Sequence, residues 1–189
     1  MADVTISSLT PASPASSAKI PFSNGSATYS TTPAGIVAAS PGCVIQVVQA
    51  YKKDSWGLSS LNNWVDVPGL SVSINLKNSN SKILVSGTIN LSRDCDAYDV
   101  FIRLLRNDVL STGNSSGGTI GHAAAQISKF QANPVTFSYL DSITQTANTY
   151  KIQAYLASAA CTMFVNTRGF NDGGSFTLTS NLTLMEIAQ

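Results

Sequence analysis

The sequence predicts an all-β protein: an antiparallel β-sandwich of jelly-roll type with about eight strands, preceded by an extended N-terminal arm. Three observations carry this. Residues 175–189 (SFTLTSNLTLMEIAQ) alternate, with Phe176, Leu178, Leu182 and Leu184 on one side and Ser175, Thr177, Thr179, Asn181 and Thr183 on the other, the period of a strand with one buried face. Short apolar runs separated by Gly, Asn and Ser clusters recur from Cys43 onward. No helical period of useful length occurs outside His122 to Lys129 (HAAAQISK), which fits either one helical turn or a loop.

The arm is expected over residues 1–42, where five of the seven prolines (Pro11, Pro14, Pro21, Pro33 and Pro41) stand among Ser, Ala and Thr. Proline at that density blocks helix interiors and central strands. The apolar residues there, among them Val4, Ile6, Leu9, Ile20, Phe22 and Tyr29, come singly or in pairs. They are too sparse for a core and suit a strap lying in grooves on a partner or on the chain's own body; a disordered linker is the plainer alternative.

The sandwich is expected over residues 43–189. Its strands are Cys43 to Tyr51, rich in Val and Ile, and Leu70 to Leu76, which alternates cleanly. A turn at Lys77 to Asn80 (KNSN) leads into Ser81 to Leu91, with Ile83, Val85, Ile89 and Leu91 on one face. Ala97 to Arg106, Val135 to Leu140, Thr149 to Leu156, Cys161 to Val165 and the terminal strand complete the set. In the terminal strand the apolar phase breaks at Met185, with Glu186 between Met185 and Ile187, so the last residues are expected to carry a bulge or to bury both faces. Met185 and Ile187 are therefore the residues expected to meet a neighbouring subunit.

Composition narrows the function classes. In 189 residues only 11% are charged and the formal net charge is +1, leaving no footprint for nucleic acid. Abundant Ser, Thr and Asn are tolerated where protein covers protein, which suggests oligomerisation. No stretch has the length of a membrane span and the N-terminus lacks the pattern of a signal peptide, so no membrane partner and synthesis in a cytosol are expected. Cys43, Cys95 and Cys161 are far apart and odd in number, which argues against a disulfide framework or a cysteine zinc site and for reduced thiols.

Signals for chemistry are poor, and no cofactor or metal is expected. His122 is the single histidine, in a Gly- and Ala-rich loop, and any catalytic triad would need it. The same loop (GNSSGGTIG) lacks the Lys and following Ser or Thr of a phosphate cradle. Asp94, Asp96 and Asp99 (RDCDAYD) form either a solvated turn or a pair of carboxylates able to collect calcium or act as acid and base. Trp56 and Trp64 flank a polar stretch, Lys52 to Asn63, with Tyr51 beside it. These three either stack on sugar rings or pin a loop to a domain edge or neighbour. Arg103 and Arg106 lie in an apolar strand, where a buried charge needs a partner and an alternating one faces solvent.

The segments 44–50 (VIQVVQA), 81–90 (SKILVSGTIN), 140–154 (LDSITQTANTYKIQA) and 175–188 (SFTLTSNLTLMEIA) resemble the β-domain of tailed-phage virion proteins, particularly those of cyanophages and other aquatic phages. "TLMEIA" and "TYK" followed by an alternating strand carry most of the likeness, which spans residues 43–188. The arm is similar in style to attachment segments of phage fibre and adsorption proteins. The resemblance implies a non-enzymatic virion component assembled as a homotrimer. Because the arm runs directly into the β-domain at Gly42, there is no room for a shaft. The expected role is therefore a capsid decoration or cement protein, with the arm residues Val4, Ile6, Leu9, Ile20, Phe22 and Tyr29 anchoring it to the major capsid protein or another virion protein. The alternative is a short tail fibre or spike that binds host glycan through Tyr51, Trp56 and Trp64. A glycan-cleaving enzyme using Asp94 and Asp96 ranks last.

Overall fold

The structure, a computed structural model, describes residues 20–23, 28–31, 41–59, 62–95, 100–110, 129–143, 145–157, 161–168 and 178–189. The strands are β1 (Ile20–Ser23), β2 (Thr28–Thr31), β3 (Val44–Lys52), β4 (Trp56–Leu58), β5 (Trp64–Asn75) and β6 (Lys82–Arg93), followed by β7 (Val100–Arg106), β8 (Val109–Leu110), β9 (Asn133–Ser142), β10 (Ala147–Leu156), β11 (Met163–Val165) and β12 (Ser180–Ile187). All pairings are antiparallel.

Two sheets make the body. One runs β5-β10-β7-β8. In the other, β6 pairs with β9 along one edge; along the opposite edge β12 takes its first part and β11 its last. β12 and β11 lie end to end, and β3 and β4 lie end to end outside them. Each sheet is thus four ranks wide, and the long strands β3, β5, β6, β7, β9, β10 and β12 alternate between the two in chain order. Side chains at every second position fill the space between, among them Leu70, Ile83, Val85, Ile89, Leu91, Tyr150, Leu182 and Leu184, all fully buried.

Element by element, the expected strands are present with shifted ends. β5 begins at Trp64 rather than Leu70, because four residues, 67–70, bulge opposite Ile152 between the pairs Gln153↔Asp66 and Lys151↔Ser71. Pro68 and Gly69 sit in this bulge, and Gly69 has a φ of 81°, a conformation that glycine adopts without strain. Leu178 and Thr179 precede β12 without belonging to it. β8 was not expected: Asn107 and Asp108, with φ of 49° and 65°, turn β7 back on itself in the left-handed conformation that Asn and Asp tolerate. The arm holds a ribbon, β1–β2, which forms its own two-stranded sheet. Pro21 is accommodated there because a ribbon has only edge strands.

The cysteine expectation is corrected. Cys95 and Cys161 form a disulfide, and Cys43 is free. The register that pairs Arg93 with Met163 carries the chain on to place Cys95 opposite Cys161, with Cα atoms 5.3 Å apart. Asp94 and Thr162 between them exchange bonds: the Asp94 N–H donates to the Thr162 carbonyl at 3.2 Å and the Thr162 N–H to Asp94 Oδ1 at 2.6 Å. Spacing of 66 residues conceals a pair that only the sheet brings together, and a bond of this kind persists outside a reducing cytosol. Closing a loop of that length is worth about 2–4 kcal/mol. Reduction, or Cys161→Ser, is expected to lower the urea midpoint accordingly; an unchanged midpoint with and without reductant would show that the bond contributes nothing.

Candidate interaction faces

The inward slots of β12 are Ser180, Leu182, Leu184 and Glu186, with Ala188 just past its end, each buried. The apolar phase therefore does not break at Met185 as expected; it continues with a glutamate in a core slot. Glu186 is fully buried and its carboxylate accepts the backbone N–H of Lys77 at 3.0 Å, that of Asn78 at 2.9 Å and the Gln46 side-chain amide at 2.5 Å. Burial alone would raise its pKa, but the Lys77 and Asn78 N–H groups with Gln46 outweigh burial and hold it below the ordinary value. The carboxylate thereby pins the KNSN turn between β5 and β6. The bulge expected here is present on the partner strand: Glu186 pairs with Gln46 and Ile187 with Val44, leaving Ile45 unmatched.

Two further polar anchors hold the strands together. Arg106 Nη1 donates to Asp141 Oδ2 at 2.7 Å and the Tyr150 hydroxyl to the same oxygen at 2.8 Å, tying β7 and β10 to β9 of the other sheet. Arg106 thus has the partner its apolar strand requires, from within the chain. Burial, reinforced by the bond to Asp141, pushes the Tyr150 hydroxyl pKa up. Asn166, fully buried, donates to the Lys52 carbonyl at 2.7 Å and accepts from Ser180 Oγ at 2.6 Å. It closes the seam where β11 meets β12 and β3 meets β4. Asp94 is committed to Thr162, and the cysteines beside it are bonded to one another, so this group offers no thiolate to an ion. Asp96, Asp99 and His122 lie outside the described residues.

The two outer faces differ. On β5-β10-β7, an aromatic row runs Trp64–Tyr155–Phe101 by strand register, and beside it a polar row runs Asp66–Gln153–Arg103. Trp64 and Tyr155 centroids are 5.1 Å apart, Tyr155 meets Phe101 edge-on at 6.0 Å, and the Arg103 guanidinium lies 4.3 Å over the Trp64 ring. Arg103 Nε donates to Gln153 Oε1 at 2.8 Å, Gln153 to Asp66 at 2.5 Å, and Lys151 Nζ to Asp66 at 2.9 Å and Asp108 at 2.5 Å. Its bonds to Asp108 and Asp66 raise the Lys151 pKa, and burial lowers that of Arg103. On the other sheet, the outward row Val47–Met185–Leu84–Leu140 crosses all four ranks from β3 to β9. Val47 is 54% exposed and Leu140 48%.

The predicted site residues are distributed as follows. Met185 and Ile187 both stand on the outer face of β12, half-buried. Tyr51 is exposed on the outer face of β3, Trp56 lies on β4 packed against the core, and Trp64 lies on β5 in the other sheet, so the three do not converge. Ile20, Phe22 and Tyr29 fall on the β1–β2 ribbon, with Phe22 opposite Tyr29; Val4, Ile6 and Leu9 lie outside the described residues. Val47, Leu84 and Leu140 were not singled out from sequence, though each is apolar at a position in the outward phase of its strand.

No protein-family model matches the chain, and no curated protein matches it. Among solved structures it is similar to T=1 particles derived from infectious bursal virus (10% identity, TM-score 0.39, covering 90% of this chain and 41% of that one). It is likewise similar to the VP2 subviral particle of infectious bursal disease virus (9% identity, TM-score 0.39, covering 90% and 42%). The chain spans about two fifths of the length of either, and a TM-score of 0.39 lies below the level of a shared fold.

Glu186→Gln places an amide N–H₂ against backbone donors, and the unpaired group should cost about 1–3 kcal/mol at neutral pH. Because the folded pKa is depressed, the carboxylate's contribution is complete above the ordinary value of 4.5 and lost as pH falls through the folded value. Urea titrations should show the gap between wild type and variant closing as pH falls below the ordinary carboxylate value; a constant gap down to the acid limit would rule out a charged Glu186 as the cause.

Proposed function

We propose that this chain is a non-enzymatic virion structural protein, a decoration or cement protein that binds a phage capsid as a homotrimer through its N-terminal arm. The observation that carries this is the β1–β2 ribbon, which forms its own sheet and contributes no strand to either sheet of the body. An isolated two-stranded ribbon is marginal in water and needs a surface to lie on. Its register pairs Ile20 with Thr31 and Phe22 with Tyr29, which brings three of the arm residues named above into one ribbon. Three arms per trimer, each making a modest apolar contact, bind far more tightly together than one. Straps that span adjacent capsid subunits oppose their separation. The sequence resemblance to phage virion proteins supports the same reading.

A chain lacking residues 1–40 should fold but no longer co-sediment with capsids; undiminished co-sedimentation would exclude the arm as the anchor. The Trp64–Tyr155–Phe101 row beside Asp66 and Gln153 favours a second reading, a short fibre that recognises host glycan, since aromatic faces flanked by amides and carboxylates suit sugar rings. On a glycan array that reading requires binding by the wild type that Trp64→Ala abolishes, whereas a decoration protein gives no signal with either.

A further inference from the structure

We propose that the outer face of the β9–β6–β12–β3 sheet is where copies of this chain meet, through the row Val47–Met185–Leu84–Leu140 and its neighbours Val44 and Ile187. The row runs in strand register across the full width of the sheet, so it is one continuous ridge and not scattered residues. Val44, Val47 and Leu140 are 46%, 54% and 48% exposed, a concentration of large apolar groups on a single face that marks an interaction surface.

Charge identifies the partner. Next to the apolar ridge lie the rows Gln49–Thr183–Ser86–Ser138 and Tyr51–Asn181–Thr88–Thr136, all uncharged. Among the outward positions paired between these four strands, Lys82, at one end, is the one charged residue. The opposite sheet places Asp66, Lys151 and Arg103 outward and laces them together. A face chosen by a charged partner would carry complementary charge. A neutral face can meet its own copy without setting like charges against each other, and the Ser and Thr rows supply hydroxyls that donate and accept equally well. The ridge also has two halves, Val47 with Met185 and Leu84 with Leu140. The β3–β12 half of one copy can therefore lie on the β6–β9 half of the next, a head-to-tail contact that closes into a ring when repeated.

This deepens the proposed homotrimer by naming its contact, and it fails separately, because light scattering on the purified chain involves no capsid. The full-length chain should have the mass of three copies. Val47→Asp and Leu140→Asp, at sites already half exposed, should shift the mass toward one copy at equal concentration with the circular dichroism spectrum and melting transition of a folded chain. Thr149→Asp, on the opposite sheet, should leave the mass unchanged. A monomeric wild type, or a folded Val47→Asp/Leu140→Asp double variant that keeps the wild-type mass, would overturn the proposal. If Thr149→Asp dissociates the assembly as well, the face is misassigned.

Discussion

A buried carboxylate on the central strand fixes the geometry of the body. Glu186 occupies an inward slot of β12, where a charge is tolerated because backbone N–H groups of the β5–β6 turn and the Gln46 amide replace water. That cage exists in one register. Sliding β12 by one residue would turn Glu186 outward, strand the turn amides and bring Met185 into the core. The positions of Leu182 and Leu184 inside and of Met185 and Ile187 outside all follow from it. Between sheets, Asp141 performs a comparable service, joining Arg106 and Tyr150 where the apolar filling gives way at one end.

The sandwich has two unlike exteriors. On the β5-β10-β7 side, Asp66 is shared by Lys151 and Gln153, and Arg103 covers Trp64, so polar and aromatic groups largely satisfy one another and suit contact with water. On the other side, apolar and hydroxyl side chains have no such lacing. In the assembly proposed above, asymmetry of this kind would turn the neutral sheet toward protein and the laced one toward solvent. A strap that adds no strand to the body is compatible with both.

How legible this was in the sequence depended on range. Period-two alternation in 70–76, 81–91 and 149–156 placed strands and much of the core correctly because it is a local property. What escaped were pairings created by the sheet itself. Cys95 and Cys161 meet only because β6 and β11 share a register, and Asn166 closes a seam between strands that are far apart in the chain. Trp64 was expected only to flank a polar stretch, since clean alternation begins at Leu70, whereas the bulge at 67–70 lets β5 run from Trp64 to Asn75. Glu186 read as a fault in the pattern, since alternation counts polarity and has no means of seeing the amide cage that makes a carboxylate at home in the core. Of the candidate faces, Met185 and Ile187 could be named from the strand's end, but the ridge they belong to needed three more strands.

The position of β12 has a consequence for the making of the protein. It lies between β3 and β6, yet it is synthesised more than ninety residues after the second of them. Until it arrives, the inner edges of both strands remain open, and the alternation of long strands between sheets offers few local hairpins on which to build. Such a topology is dominated by distant contacts, which slows folding and prolongs the exposure of unpaired edges. The principal sheet is therefore completed late, when β12 arrives, and any cleavage that removes residues 180–187 takes out the middle of that sheet and not its fringe.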